Sequence, residues 1–119
     1  MILFKSQELK AQFDNEITST LRNLLYALAG FLKYTFGLDL EITSMVRYDA
    51  PVLIHWYKRA ADISTQNFTP EQIQKTKDWI NNNFLYGDIH HDSCIFEKAG
   101  EVVNGTTSTG DHLHVQTIK

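Results

Sequence analysis

A long stripe of apolar residues in the first third of the chain places the strongest constraint on the fold. From about Gln7 to Phe36, apolar side chains recur at spacings of three and four residues, which is the period of one face of an α-helix. Gly37 follows the stripe, and glycine commonly ends a helix. The sequence therefore predicts one long N-terminal helix, with this apolar face: Ile17, Leu21, Leu24, Leu25, Leu28, Phe31 and Leu32.

A strand pattern follows this helix. Residues 38–46, LDLEITSMV, alternate with a period of two, as a half-buried strand does. The alternation puts Leu40, Ile42 and Ser44 on one side of the strand. Glu41, Thr43 and Met45 are expected on the other side.

A second helix is predicted by its start signals. Thr69 is a suitable N-cap, Pro70 occupies the first helical position, and Gln72 lies three residues after the cap; together they form a capping box. Beyond Gly87, short strand-like segments separated by Gly and Asn indicate an antiparallel sheet. We therefore expect an α+β fold, with the long N-terminal helix and the second helix packed on a small, mainly antiparallel sheet.

Composition limits the number of domains and the class of partner. The 119 residues are 43% hydrophobic and 21% charged, which is typical of one globular domain, here residues 1–119. A net charge of -3 offers no basic field to nucleic acid. The single cysteine, Cys94, excludes a disulfide within the chain, so we expect it to pack as a small apolar group.

Hydropathy favours a protein that is not inserted in a membrane. The most apolar stretch, residues 24–32, is too short to span a bilayer. The N-terminus has neither a long apolar run nor a small-residue cleavage site, so no secretion signal is predicted. We expect a cytoplasmic protein.

Histidines near the end of the chain indicate a possible metal site. In a strand, His112 and His114 of the segment GDHLHVQ share one side, whereas Leu113 and Val115 take the other. An exposed strand with a polar outer face explains the same pattern.

Two residues earlier in the chain could complete such a site. His55 and Asp62 could combine with a histidine of HLH to give two imidazoles and one carboxylate. Three protein ligands suit catalytic zinc, because they leave one position for a water molecule whose pKa the ion lowers to about 7. A buried core histidine and an ordinary surface carboxylate are the alternative interpretation of this pair.

A second group of possible ligands lies in DIHHDSC, residues 88–94. It contains His90, His91, Asp92 and Cys94, which could also bind a soft metal. Adjacent histidines point to opposite sides of a strand, so only some of these side chains could converge. A solvated turn explains the segment more simply.

Three segments together resemble a known family. TSMVR at 43–47, HWYKRAAD at 55–62 and DHLHV at 111–115 are similar, in the same order, to the successive motifs of zinc D-alanyl-D-alanine carboxypeptidases and phage L-alanyl-D-glutamate endopeptidases. The resemblance covers about residues 40–116 and implies the Hedgehog/DD-peptidase type of α+β fold. It also implies a Zn²⁺ ion held by three ligands: His55, Asp62 and His114.

The same resemblance assigns the remaining site residues. Asp111 falls where the family keeps its catalytic carboxylate, and Arg47 falls where an arginine steadies the substrate carbonyl as negative charge develops. Ser44 and His112 are expected to contact the substrate. A structural role is the alternative for His112, and a surface salt bridge is the alternative for Arg47. Two positions depart from the family pattern, Leu53 where serine is common and Lys58 where glycine is usual. Lys58 implies a loop of different shape, which leaves the substrate preference open.

The resemblance implies a zinc-dependent peptidase that cleaves bonds involving D-amino acids in peptidoglycan stem peptides. Asp rather than Glu at position 111 favours the endopeptidase over the carboxypeptidase type. An enzyme made in the cytoplasm would reach the wall after release or lysis. The alternative is a zinc-stabilised binding or structural module without activity, such as a component of a phage particle. Two histidines and a carboxylate can also accept manganese, cobalt or iron(II).

Overall fold

A computed structural model describes residues 1–45, 58–86, 92–98 and 111–118, together with the backbone of 102–103 and 106–107. Three helices and seven strands lie in these ranges: β1 (Ile2–Phe4), α1 (Gln7–Asn15), α2 (Ser19–Phe36), β2 (Leu40–Ser44), β3 (Ala60–Ser64), α3 (Pro70–Asn83), β4 (Cys94–Glu97), β5 (Val102–Val103), β6 (Thr106–Thr107) and β7 (His112–Gln116). The fold is α+β, as predicted. Across the described ranges, every helix is too short or too polar to cross a membrane.

The main sheet has five strands in the order β1-β2-β3-β7-β4, and β5 pairs with β6 in a separate two-stranded ribbon. The pairings of β2 with β3, β3 with β7 and β7 with β4 are antiparallel, which confirms the mainly antiparallel sheet. Strand β1 was not predicted, and it pairs parallel to β2. A parallel neighbour needs a crossover connection, and α1 and α2 provide it.

The predicted single N-terminal helix is wrong, because the chain breaks between α1 and α2. Thr18 adopts an extended backbone, and its side chain accepts a hydrogen bond from the Leu21 amide as the N-cap of α2. The Arg22 guanidinium donates to the backbone carbonyls of Phe13 (2.9 Å) and Ile17 (3.3 Å). These bonds satisfy carbonyls that a continuous helix would have paired itself. The apolar stripe runs through the break because both helices pack on one core.

Helix α3 confirms the second predicted helix and its capping box. The Thr69 side chain accepts from the Gln72 amide at 3.1 Å, and the Gln72 side chain accepts from the Thr69 amide at 2.9 Å. Ile80 is buried, and Trp79 stacks on Phe31 of α2 with ring centroids 4.4 Å apart. Local sequence therefore starts α3, and aromatic packing places it against α2.

One face of the sheet is apolar and belongs to the core that α2 and α3 share. Leu113 and Val115 of β7 are fully buried in this core, which confirms their predicted side of the strand. Ile63 and Ala61 of β3 belong to the same cluster, as does Cys94 of β4. Because side chains alternate along each strand, the intervening residues of these three strands are directed to the opposite face.

A β-bulge at the end of β2 changes the predicted side of Ser44. Ile42 pairs with Ile63, but Ser44 pairs with Asp62, so two residues of β2 correspond to one residue of β3. The prediction that Ser44 shares a side with Leu40 and Ile42 is therefore wrong. An extra residue reverses the alternation, and Met45 is fully buried instead. The bulge leaves Ser44 opposite Asp62.

Candidate functional site

Four ionisable side chains meet on the polar face of the sheet. Asp62 lies on β3, Glu97 on β4, and His112 and His114 on β7. The register pairs Asp62 with His114 and Glu97 with His112. Residues directly opposite each other on antiparallel strands present their side chains to the same face, so strand pairing alone brings this group together.

Each carboxylate in this group contacts both imidazoles. Asp62 Oδ1 lies 3.2 Å from His114 Nδ1 and 3.5 Å from His112 Nε2. Glu97 Oε2 lies 3.5 Å from His112 Nε2, and Glu97 Oε1 lies 3.6 Å from His114 Nδ1. His114 and Glu97 are only 7% and 8% exposed. We call these four residues the carboxylate–histidine cluster.

The cluster favours positive charge at His114. Burial by itself lowers the pKa of this imidazole, because the charged form loses its hydration. The hydrogen bond and charge of Asp62, the bond to Gln116 and the charge of Glu97 act in the opposite direction, and the net pKa is raised above its ordinary value. The position therefore stabilises the imidazolium form of His114.

The second nitrogen of the His114 ring has its own partner. His114 Nε2 lies 3.1 Å from Gln116 Oε1, two residues further along β7. The Gln116 side-chain amide donates in turn to the backbone carbonyl of Asp92 at 2.9 Å. The ring is thus held at both nitrogens.

Two threonines fix the backbone beside the cluster. Thr43 Oγ1 donates to the backbone carbonyl of Asp62, and Thr65 Oγ1 donates to the backbone carbonyl of Asp111, both at 3.3 Å. Asp111 is exposed and lies at the junction immediately before β7. The contact with Thr65 ties this junction to the end of β3.

A cavity of about 360 Å³ lies where α1 begins and β2 ends. Ser44 contributes to its wall and is also opposite Asp62 in the sheet register. The cavity therefore lies beside the set of paired residues, Ser44, Asp62 and His114, that runs across β2, β3 and β7. Its lining is mixed in polarity: Lys5, Ser6, Glu8, Leu9, Gln12, Thr43, Ser44 and Met45.

The structure brings part of the predicted site together. Asp62 and His114, two of the three expected zinc ligands, are in contact, and His112 joins them. The third expected ligand, His55, and the expected oxyanion residue, Arg47, lie outside the described residues, as does Leu53. Of the rival ligand group, His90 and His91 also lie outside the described residues, Asp92 is exposed, and Cys94 is buried in the core.

Lys58 adopts a backbone conformation that favours glycine. Its φ is 63°, and among the described non-glycine residues it alone has a positive φ. This is the left-handed region that glycine adopts without steric cost. The expected change of loop shape stays a prediction, because residues 46–57 of this loop lie outside the described residues. Its carbonyl accepts from the Thr18 amide at 3.0 Å, which ties the loop before β3 to the helix break.

Glu97 is the site residue that the sequence did not predict. It alternates with Phe96 and Cys94 in a short strand-like segment, and nothing in that segment distinguishes it from an exposed acidic residue. The pairing of β4 with β7, which places Glu97 opposite His112, supplies the missing information. Glu97 lies on β4, next to the strand that carries both histidines and two strands from Asp62. Only this register makes it a residue of the site.

Over the ranges that the structure describes, no three His, Cys, Asp or Glu side chains form a group arranged to hold a metal ion. The carboxylate–histidine cluster by itself therefore does not form a three-ligand metal site. Comparisons of the chain with protein families, with curated proteins and with solved structures found no match.

Proposed function

We propose that this chain is a zinc-dependent peptidase of the Hedgehog/DD-peptidase fold that hydrolyses peptide bonds involving D-amino acids in peptidoglycan stem peptides. The contact between Asp62 and His114 carries the proposal. These residues come from two of the three motifs, lie 52 positions apart in the chain, and approach to 3.2 Å. Each motif alone has an ordinary structural explanation, whereas their meeting at a buried polar position supports a shared ligand.

The donor atoms suit zinc in type and spacing. Imidazole nitrogen and carboxylate oxygen bind zinc at about 2.0–2.1 Å, and at a tetrahedral angle two such atoms lie about 3.3 Å apart. His114 Nδ1 and Asp62 Oδ1 are separated by 3.2 Å. His55 is the proposed third ligand, which leaves one coordination position for water.

The proposed reaction is hydrolysis of an amide. When bound, the zinc ion supplies Lewis acidity for the scissile carbonyl and for the attacking water. Asp111 accepts a proton from that water as the new C–O bond forms, and passes the proton to the leaving amine as the C–N bond breaks. Arg47 donates hydrogen bonds to the developing oxyanion; one such preorganised donor lowers the barrier by about 3 kcal/mol.

His112 and Ser44 are the proposed substrate contacts. His112 contacts Asp62 in the cluster. Ser44 lies opposite Asp62 in the sheet register and also lines the cavity beside α1. A peptide lying across the sheet from the cluster towards this cavity would pass both side chains. The endopeptidase type, cleaving an L-alanyl-D-glutamate bond after release into the wall by lysis, is the preferred form of the proposal.

The test uses purified cell-wall sacculi and the full chain. Wild type loaded with zinc should release new amino groups, and a chelator should stop the release. Asp111→Ala should abolish cleavage while zinc remains bound, because this carboxylate moves a proton and is not a ligand. Asp78→Ala, an exposed carboxylate on α3, is the matched control and should cleave normally.

The same experiment decides against the enzyme if wild type holds zinc tightly and releases no amino groups from any wall preparation. The zinc-stabilised binding module then becomes the better description. Defined muropeptides separate the two peptidase types. An endopeptidase exposes a new N-terminus on D-glutamate, whereas a carboxypeptidase releases free D-alanine.

A further inference from the structure

We infer that Thr65 is a positioning residue for Asp111, whose main chain it holds at the start of β7 through its side-chain hydroxyl group. The role of Asp111 in proton transfer rests on the proposed function. The hydrogen bond that anchors its main chain does not depend on that function.

The bond lies at one end of the strand pair that carries Asp62 and His114. These two residues face each other in the β3–β7 register. Thr65 lies three residues beyond Asp62, and Asp111 lies three residues before His114. Continued by three positions, the same register sets Thr65 opposite Asp111. There Thr65 Oγ1 donates to the Asp111 backbone carbonyl at 3.3 Å.

Thr65 is itself held firmly enough to act as an anchor. The residue is buried, with 6% exposed. Its backbone carbonyl accepts from the Phe68 amide at 3.1 Å, in the turn that leads to Thr69, the N-cap of α3. A side chain fixed by packing and by its own backbone bonds can hold a site residue in a defined place.

Asp111 is the residue of the proposed site that most needs such an anchor. It is exposed and lies outside β7, whose first residue is His112. Strand residues rise about 3.3 Å each, so the Cα atom of Asp111 lies about 10 Å along the chain from that of His114. Chain segments at the ends of elements open more readily than their centres. A displacement of about 1 Å at a reacting group can slow catalysis about 100-fold.

The hydrogen bond acts on the peptide unit that joins Asp111 to His112. A peptide unit is planar, so holding its carbonyl oxygen also holds the Cα atom of Asp111 relative to β3. The other end of this unit is His112, which belongs to the carboxylate–histidine cluster. Thr65 therefore sets the point from which the Asp111 carboxylate extends, and local rotations then direct it.

Two substitutions at Thr65 give opposite expectations for positioning and for packing. Thr65→Val keeps the shape of the side chain and removes the donor. Thr65→Ser keeps the donor and removes the methyl group. If the hydroxyl positions Asp111, only Thr65→Val loses turnover. If Thr65 only fills space in the core, Thr65→Ser is the variant that is impaired.

Thr117→Val is the matched control. Thr117 is also 6% exposed, and its hydroxyl donates to the Arg59 backbone carbonyl at 3.5 Å. This bond lies at the other end of the β3–β7 pair, away from Asp111. The same change from a buried threonine to valine should leave turnover there as in wild type.

The first readout is amino-group release from defined muropeptides by the zinc-loaded full chain. Thr65→Val should lower kcat about 10- to 100-fold. Its KM and zinc affinity should stay within about twofold of wild type, because Thr65 contacts neither substrate nor metal in the proposed site. Full kcat in Thr65→Val, or a loss of about tenfold in Thr65→Ser, would overturn the positioning role. The serine variant decides this even if the valine variant does not fold.

The second readout is the ¹³C chemical shift of the Asp111 backbone carbonyl in the metal-free full chain, which responds to the hydrogen bond that this carbonyl accepts. Thr65→Ser should match wild type, and Thr65→Val should differ from it. An unchanged shift in Thr65→Val would refute the anchoring of Asp111. A wild type that releases no amino groups would refute the proposed function instead, while the carbonyl shift still decides whether Thr65 holds Asp111.

Discussion

Asp62 and His114 face each other across the β3–β7 pair, with Asp62 Oδ1 3.2 Å from His114 Nδ1. Glu97 approaches the same histidine from β4, on the other side of β7. Three antiparallel strands thus deliver two carboxylates and two imidazoles to one buried polar position. The apolar residues between them in each strand belong to the core, so the same alternation builds the core and the site.

Glu97 should be required for function although it is absent from the motifs. Glu97→Gln keeps the shape of the side chain and removes the charge that adjoins His112 and His114. Loss of such an outer partner should reduce wall digestion about 10- to 100-fold. Initial rates of amino-group release measure this effect, with Glu71→Gln, an exposed residue on α3, as the control. Equal rates for the two variants would show that Glu97 has no part in the site.

Lys58 should tolerate glycine better than most lysines do. Its φ of 63° is strained for a side chain with a Cβ atom, at a cost of about 1–2 kcal/mol. Lys58→Gly relieves this strain and should leave the free energy of unfolding unchanged or raise it by up to about 1 kcal/mol. Lys58→Val should lower it by about 1–2 kcal/mol, since a β-branched residue fits this region poorly.

Denaturant unfolding of the Lys58 variants provides the measurement. Lys98→Gly is the control, because Lys98 has a negative φ and glycine there only adds freedom to the unfolded chain. If Lys58→Gly destabilises the fold as much as Lys98→Gly does, residue 58 is not strained in solution.

Cys94 should make stability fall at alkaline pH. Burial, with a smaller contribution from the charge of Asp92, raises the pKa of its thiol from 9.0 to about 12, although Lys77 acts in the opposite direction. Below pH 9 the thiol is protonated in both folded and unfolded chains, so its contribution is fully present. Between pH 9 and 12 only the unfolded chain loses the proton, and stability decreases by up to about 1.4 kcal/mol per pH unit.

Comparison with Cys94→Ala isolates this effect, because the other titrating groups are common to both proteins. The free energy of unfolding of wild type should fall more steeply than that of Cys94→Ala from pH 9 upwards. Parallel curves would mean that the thiol ionises as readily in the folded chain as in the unfolded one.

Local signals in the sequence predicted the elements that depend on local interactions. The capping box at Thr69 starts α3 where expected, and the alternation of HLHVQ forms β7 with both histidines on one face. The helix break at Thr18 escaped prediction because the apolar spacing continues through it. Apolar residues spaced by three and four show which side of a helix faces the core. The same spacing fits one continuous helix or two consecutive helices.

Features that depend on strand pairing could not be predicted from one sequence. The bulge that moves Ser44 beside Asp62 exists only relative to β3, and Glu97 joins the cluster only because β4 pairs with β7. Strand β1 is three residues long, too short to show a period. The residue pattern points to Asp62 and one histidine of HLH as candidate ligands, and the motif resemblance selects His114. The register of β3 and β7 places Asp62 and His114 together.

Zinc stoichiometry measured by metal analysis of wild type and Asp62→Ala tests the central claim most directly. We predict one zinc ion per wild-type chain after dialysis against a weak chelator, and loss of that ion in Asp62→Ala, because removal of one of three ligands weakens the site. Asp78→Ala, treated identically, should retain the ion. A wild-type chain that keeps no zinc, or an Asp62→Ala variant that keeps as much as wild type, would contradict the proposal that Asp62 and His114 hold a catalytic metal.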